Sequence, residues 1–292
     1  MEVPDAHGYV ARRDAFDLAP AELLSEVWAA RVWGHAAGGS SGGAMTRREH
    51  VDLPAPALGG SGTVIVHGHY GRPFLVFPSE RGRAWDFENN GMVDAVRPLI
   101  DAGRAKLYCV TSHDGASWSN RSLSMEDRAR RHDEYERWMI DAVLPFVYAD
   151  CGGPLEVGTI GCSMGAYHAL TFALRRADLF PLAMGFSGNY DPSTWHGWGE
   201  RGESAYFTHP TDFLPGLGGD HLDWLRSRLS VLLVVGQGMW EDTTGALPST
   251  RRMAGLLRDK GIRCELDEWG HDVPHDWPSW QRQLAHHLPR FC

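Results

Sequence analysis

Hydrophobic and polar positions along the chain follow two alternating patterns. Short apolar runs bounded by glycine, proline or histidine predict strands, and apolar residues recurring every three or four positions predict helices. The predicted strands cover residues 64–68, 74–77, 107–111, 155–160, 182–186, 231–235 and 264–269, of which the first two form an early strand pair. The predicted helices cover residues 90–102, 125–147, 165–176, 249–260 and 277–288. This alternation predicts an α/β fold: a mostly parallel central sheet with helices on both faces and a small aromatic insertion.

The N-terminal part of the chain has a different character. Apolar residues at helical spacing over residues 18–33 are followed by the glycine and serine run at residues 38–43, which favours a flexible linker. We therefore expect residues 1–44 to be an extension that folding and chemistry do not need, and residues 45–292 to form one domain.

Composition and charge exclude several classes of protein. The formal net charge of −9 opposes binding to nucleic acid, and no apolar run approaches the ~18 residues of a membrane span. The N-terminus lacks the apolar core of a secretory signal. Five scattered cysteines without a C-x-x-C pair are typical of reduced thiols, so the sequence predicts a cytoplasmic protein and leaves a homo-oligomer open.

The strongest chemical motif is the pentapeptide Gly161-Cys162-Ser163-Met164-Gly165. It lies directly between a predicted strand and a predicted helix. A serine on such a sharp turn has an exposed hydroxyl, and the flanking glycines remove Cβ atoms that would clash. The motif therefore indicates that Ser163 is a nucleophile.

A nucleophilic serine needs a base, and the base needs a carboxylate, in the chain order serine, acid, histidine. The loop after the strand at residues 231–235 carries Glu241 and Asp242, of which we favour Asp242. The loop after the last strand carries His271 and His275, and the residue pattern alone leaves both open.

The chain resembles the esterase branch of the α/β-hydrolase superfamily, which includes esterase D and the mycolyltransferases. The resemblance covers roughly residues 48–291 and rests on Phe77-Pro78-Ser79-Glu80, on the motif around Ser163 and on His275-Asp276-Trp277-Pro278-Ser279-Trp280. The last segment is similar to that branch's His-x-Trp-x-x-Trp block and so implies His275 as the base. The resemblance also implies an oxyanion hole formed by the backbone N–H of Met164 and a second N–H near Ser79 or Glu80.

The predicted activity is hydrolysis of a small-molecule carboxylic ester through Ser163, Asp242 and His275, without a cofactor. Trp118, in the loop after the strand at 107–111, and Trp195 and Trp198, in the aromatic segment at 189–225, are expected to contact the substrate.

Thioester hydrolysis and acyl transfer use the same triad and stay open. Two further alternatives are a non-catalytic binding protein of the same fold and a metallohydrolase built on His67 and His69 or on His271 and His275. The sequence has no established metal-ligand motif, so we expect no metal.

Overall fold

The computed structural model describes residues 47–292. The expected N-terminal helix and linker lie outside these residues. None of the described helices is long and apolar enough to cross a membrane.

One eight-stranded sheet forms the centre of the described chain, in the order β1-β2-β4-β3-β5-β6-β7-β8. Strands β3 to β8 are parallel to one another, whereas β2 pairs antiparallel with both of its neighbours, β1 and β4. The expected α/β class and mostly parallel sheet are thus confirmed. The strands are β1 (Arg48–Ala55), β2 (Gly60–His67), β3 (Arg72–Phe77), β4 (Ala105–Val110), β5 (Gly158–Cys162), β6 (Leu182–Phe186), β7 (Ser230–Val235) and β8 (Arg263–Glu268).

Two early parts of the sheet differ from the sequence expectation. The strands at 64–68 and 74–77 do not pair with each other, because β4 lies between β2 and β3. Strand β1 was not predicted at all. It is an edge strand that pairs only with β2 and has mostly exposed or half-buried side chains, so its sequence lacks an apolar run.

Helices cover both faces of the sheet. They are α1 (Asp86–Asn89), α2 (Met92–Ala95), α3 (Arg97–Asp101), α4 (Met125–Trp138), α5 (Leu144–Cys151), α6 (Met164–Arg175), α7 (Glu203–Phe207), α8 (Pro210–Gly216), α9 (Gly219–Arg228), α10 (Ala246–Asp259) and α11 (Trp277–His287).

Two predicted helices are interrupted. The helix expected over residues 90–102 is divided between α2 and α3. Gly91, with a left-handed φ of 71°, precedes α2, and Val96, with a φ of −117°, separates α2 from α3, which has Pro98 in its first turn. The helix expected over residues 125–147 contains a π-helical turn at Met139–Val143. Pro145 follows this turn and has no N–H for a regular helical hydrogen bond, which favours the local widening.

The core lies in two layers, one on each face of the sheet. Tyr108 and Val110 of β4 belong to one apolar cluster, and Leu107 and Cys109 belong to the other. Successive side chains of a strand point to opposite faces, so a strand buried on both faces reads as a continuous apolar run. The loops at the carboxyl edge of this buried sheet hold the residues of the candidate site.

Candidate active site

Ser163 occupies a sharp turn between β5 and α6. Its φ of 56° is a left-handed conformation that is costly for a residue other than glycine, and its backbone N–H donates to the carbonyl of Phe186, 2.8 Å away. A Cβ on Gly161 would lie 2.0 Å from the Gly165 carbonyl oxygen, and one on Gly165 would lie 2.3 Å from the Pro78 carbonyl oxygen. Only glycine fits at both positions, so the motif builds the turn that exposes the serine hydroxyl at the N-terminus of a helix.

His275 faces this hydroxyl. Its Nε2 lies 3.0 Å from Ser163 Oγ. The residue belongs to the loop between β8 and α11, where its backbone N–H donates to the carbonyl of Met239 and its ring packs edge-on against Trp280 at 5.0 Å. These contacts orient the imidazole. His271 is exposed, its Nδ1 is 3.2 Å from the Gln237 carbonyl oxygen, and no contact joins it to Ser163.

Glu241, and not Asp242, contacts the histidine. Its Oε2 lies 3.1 Å from His275 Nδ1, and its side chain is fully buried. The other oxygen accepts hydrogen bonds from Ser187 Oγ at 2.5 Å and from the Gly236 N–H at 3.2 Å. Both oxygens of this buried carboxylate thus face hydrogen-bond donors.

The structure corrects the preference for Asp242. The preceding residue, Trp240, has a left-handed φ of 71°, and the turn it forms directs Glu241 into the protein and leaves Asp242 exposed. Asp242 instead lines the cavity beside Ser163. Sequence reasoning also missed Ser187, although it directly follows β6 at the carboxyl edge of the sheet, which was the available signal.

The loop after β3 lies beside the serine turn. Phe77 pairs with Gly161 across neighbouring parallel strands, and the carbonyls of Phe77 and Pro78 approach Gly165 closely. Met164 is the first residue of α6, and both Met164 and Glu80 line the cavity. Ser79 is not among the lining residues; its carbonyl accepts the Gly82 N–H in a tight turn.

The cavity next to Ser163 has a volume of about 580 Å³. Trp118 and Trp195 both line it, with their rings edge to face at 5.6 Å. Trp198 does not line it: this side chain is 53% exposed, and its Nε1 donates to the carbonyl of Arg121. The expectation that Trp198 forms part of the pocket wall is therefore corrected. Charged side chains that sequence reasoning had not assigned also line the cavity, namely Arg121, Asp191 and Arg252.

The metal alternatives named from the sequence used two pairs of histidines. Among the described residues, the one group with three potential ligand atoms within 4.8 Å of one another consists of Asp267, His286 and His287. It includes neither histidine pair named from the sequence. Asp267 Oδ2 accepts a hydrogen bond from Trp269 Nε1 and lies 2.8 Å from His287 Nε2.

Known proteins place this arrangement in context. Residues 87–291 match the family described as "Putative esterase". No curated protein matches the chain.

The fold itself occurs in several solved structures. A ferulic acid esterase is 15% identical with a TM-score of 0.67, and the match covers 85% of this chain and 98% of that one. Mycobacterium tuberculosis MPT51 is 15% identical with a TM-score of 0.64, covering 84% and 98% of the two chains. An S-formylglutathione hydrolase from Agrobacterium tumefaciens is 14% identical with a TM-score of 0.59, covering 87% and 97%. The match to the family extends over more than half of the sequence, so the chain belongs to the "Putative esterase" family and is a carboxylesterase-type enzyme of the α/β-hydrolase fold.

Proposed function

We propose that the protein hydrolyses a small carboxylic ester by nucleophilic catalysis at Ser163, with His275 as general base and Glu241 as the orienting acid. The observation that carries the proposal is the continuous chain of hydrogen bonds from Ser163 Oγ to His275 Nε2 and from His275 Nδ1 to Glu241 Oε2. A base that contacts the nucleophile and is itself oriented by a third group is the arrangement that activates a serine hydroxyl.

In the first half-reaction, Ser163 Oγ attacks the ester carbonyl carbon while His275 accepts the serine proton. The tetrahedral oxyanion is stabilised by the N–H of Met164 and by an N–H of the loop after β3, at Ser79 or Glu80. The carbon–oxygen bond to the alcohol then breaks, and His275 gives its proton to the departing alcohol. Glu241 stays ionised throughout and stabilises the imidazolium.

In the second half-reaction, water attacks the acyl-serine, again with His275 as base, and the acid product leaves. Trp118 and Trp195 provide an apolar wall for the acyl or alcohol group, in a cavity of the size that small ligands occupy. Thioester hydrolysis and acyl transfer would differ only in the leaving group or in the attacking nucleophile, so they require a substrate comparison.

The nucleophile is tested by Ser163→Ala. We expect kcat for p-nitrophenyl acetate to fall by on the order of 10³-fold or more and labelling by a fluorophosphonate to disappear. Ser122→Ala is the matched control, because Ser122 is exposed, lies outside the cavity lining and bonds to Asn120, so this variant should keep the activity. A Ser163→Ala protein with wild-type turnover would refute the mechanism.

The base is tested by a second matched pair. His275→Ala should lose activity to a similar extent, whereas His271→Ala should stay within about tenfold of the wild type, since its ring contacts only a loop carbonyl. The reverse result would assign the base to His271. The same proteins assayed with an acyl thioester, and with an added alcohol as acceptor, separate the three uses of the acyl-enzyme.

A further inference from the structure

Asp114 is a fully buried carboxylate behind the active site. It lies in the loop after β4, and its side chain is 0% exposed. One oxygen, Oδ2, accepts the backbone N–H of Arg81 at 3.0 Å, and the other, Oδ1, lies 2.8 Å from Nε2 of His168. Asp114 thus joins two elements that both border Ser163: the loop after β3 and helix α6.

The loop after β3 is held in an unfavourable conformation at Arg81. Its φ of 55° is left-handed, which a residue with a side chain adopts only when surrounding contacts hold it there. The Gly82 N–H closes the turn on the Ser79 carbonyl, and the Ser112 N–H donates to the Gly82 carbonyl. Among the contacts on the described residues, the bond to Asp114 is the one made by the Arg81 N–H itself. Loss of this bond would free the segment that presents the N–H groups of Ser79 and Glu80.

His168 ties this carboxylate to the nucleophile's helix. It follows Met164 by four residues, about one turn of α6, so the two occupy the same side of the helix. An ionised carboxylate only accepts hydrogen bonds, so His168 Nε2 is the donor of this bond. Within the described part of the chain, Nδ1 has no hydrogen-bond partner. The imidazole thus serves Asp114 alone.

Asp114 and His168 are fully buried, and aromatic rings surround His168. The His168 ring stacks on His132 at 5.1 Å and contacts Phe77 at 5.8 Å. Burial lowers the pKa of His132 well below its usual value, so that ring is neutral. In such surroundings a charge-assisted hydrogen bond is strong and geometrically strict. A buried carboxylate and histidine seldom stabilise a fold more than apolar residues of the same size would, so stability alone does not explain this pair.

We propose that Asp114, oriented by His168, is a positioning residue that fixes the oxyanion-stabilising loop against the N-terminus of the nucleophile's helix. The inference rests on the proposed function, since it needs an oxyanion to stabilise. Neither residue touches the substrate. Their effect is to keep the loop N–H at the distance that the developing negative charge requires.

The experiment compares substitutions that remove the bonds with substitutions that keep them. Asp114→Ala and His168→Phe remove the acceptor and the donor, respectively. Asp114→Asn keeps an oxygen for the Arg81 N–H, and His168→Gln keeps a donor for Asp114. For each protein, kcat and KM are measured with p-nitrophenyl acetate, the inhibition constant with a trifluoromethyl ketone, and stability by urea unfolding. The ketone adds to Ser163 and forms an oxyanion, so its affinity reports directly on the loop.

We expect Asp114→Ala and His168→Phe to lower kcat by about 10- to 100-fold, less than the loss of an oxyanion donor itself, with KM changed by less than about threefold. The inhibition constant should rise by the same factor as kcat falls. Asp114→Asn and His168→Gln should recover most of both. The matched control is Asp267→Ala, which breaks a second carboxylate–histidine bond of 2.8 Å, from the half-buried Asp267 of β8 to His287 of α11. It should lower stability and leave kcat and the inhibition constant unchanged.

The inference is overturned if folded Asp114→Ala and His168→Phe keep kcat and the inhibition constant within twofold, or if Asp267→Ala changes both equally. Failure of all four variants to fold would assign the pair to stability and also overturn it. A wild-type protein that neither cleaves the ester nor reacts at Ser163 would refute the proposed function together with the inference. A wild-type protein that does both, with unchanged variants, would refute the inference alone.

Discussion

At the scale of single residues, two adjacent carboxylates have opposite environments. Glu241 is fully buried and bonds to His275, Ser187 and Gly236, whereas Asp242 is exposed on the cavity wall. A left-handed turn at Trp240 directly precedes the two residues, and of the two it is Glu241 that points inward. The longer glutamate side chain then spans the distance to the imidazole from a loop that begins one strand away from His275.

We therefore predict that Glu241→Gln loses activity and Asp242→Asn does not. A glutamine cannot stabilise the imidazolium, so kcat for p-nitrophenyl acetate should fall by on the order of 10³-fold. Asp242→Asn keeps its size and should retain kcat within about threefold, with any effect in KM, because Asp242 lines the cavity. Equal losses in both variants would mean that the loop rearranges when the substrate binds.

At the scale of elements, the aromatic segment expected over residues 189–225 divides into two parts. Its first part lines the cavity, with Asn189, Asp191, Thr194, Trp195 and His196. Its later part forms α7, α8 and α9, which pack away from the cavity; Tyr206 and Phe207, for example, contact each other at 5.2 Å. The segment thus contains a stretch of cavity wall followed by a packed cluster.

Arg128 of α4 connects the segment that follows Trp118 with the segment that contains Trp195. Its buried guanidinium donates from Nη1 to the Trp195 carbonyl at 2.9 Å and from Nε to the Leu123 carbonyl at 2.9 Å. Trp195 therefore has a fixed place against Trp118 and Tyr167.

We predict that Trp195→Ala changes the ranking of ester substrates and Trp198→Ala does not. Removing the Trp195 ring enlarges the cavity, so larger acyl groups should gain relative to acetate by about tenfold in kcat/KM. Trp198→Ala is the control, because that ring is mostly exposed and outside the cavity lining. The comparison uses p-nitrophenyl esters of increasing chain length, with fluorophosphonate labelling to show that Ser163 stays intact. A ranking that changes in neither variant would assign Trp195 to packing.

At the scale of the whole molecule, stability depends on pH through titratable side chains that folding buries. His67 ends β2 and is 4% exposed, and this burial lowers its pKa from 6.5 to about 4. Glu88, 3.5 Å away, and Asp94 act in the opposite direction, while Arg48 and Arg97 lower the pKa further. The folded protein thus holds His67 neutral at a pH where the unfolded chain would bind a proton.

The resulting prediction is a loss of stability in mild acid. Since the pKa of His67 is depressed in the folded state, its contribution is intact above pH 6.5 and is lost as the pH falls from 6.5 towards 4. The change should be roughly 2–4 kcal/mol in the free energy of unfolding. His67→Gln, which cannot titrate, should flatten this part of the profile in urea unfolding. His50→Gln, at an exposed position of β1, is the control, and identical slopes for all three proteins would contradict the prediction.

Two expectations about the whole chain stay predictions. The structure describes residues 47–292, so the dispensability of residues 1–44 awaits truncation at Met45. The cytoplasmic location likewise rests on the sequence alone.

The sequence by itself determined the features that depend on local spacing. The strand–turn–helix around Ser163 follows from two glycines at fixed distance from the serine and from the apolar runs on either side, and the parallel sheet follows from runs buried on both faces. Tertiary structure decided what depends on residues far apart in the chain. Strand β4 lies between β2 and β3, Glu241 and not Asp242 reaches His275, and Trp198 stays outside the cavity. The contacts of Asp114 with Arg81 and His168 also depend on tertiary structure, because the three residues lie on three different elements. Such choices are made by packing and by the satisfaction of buried polar groups, which no local pattern encodes.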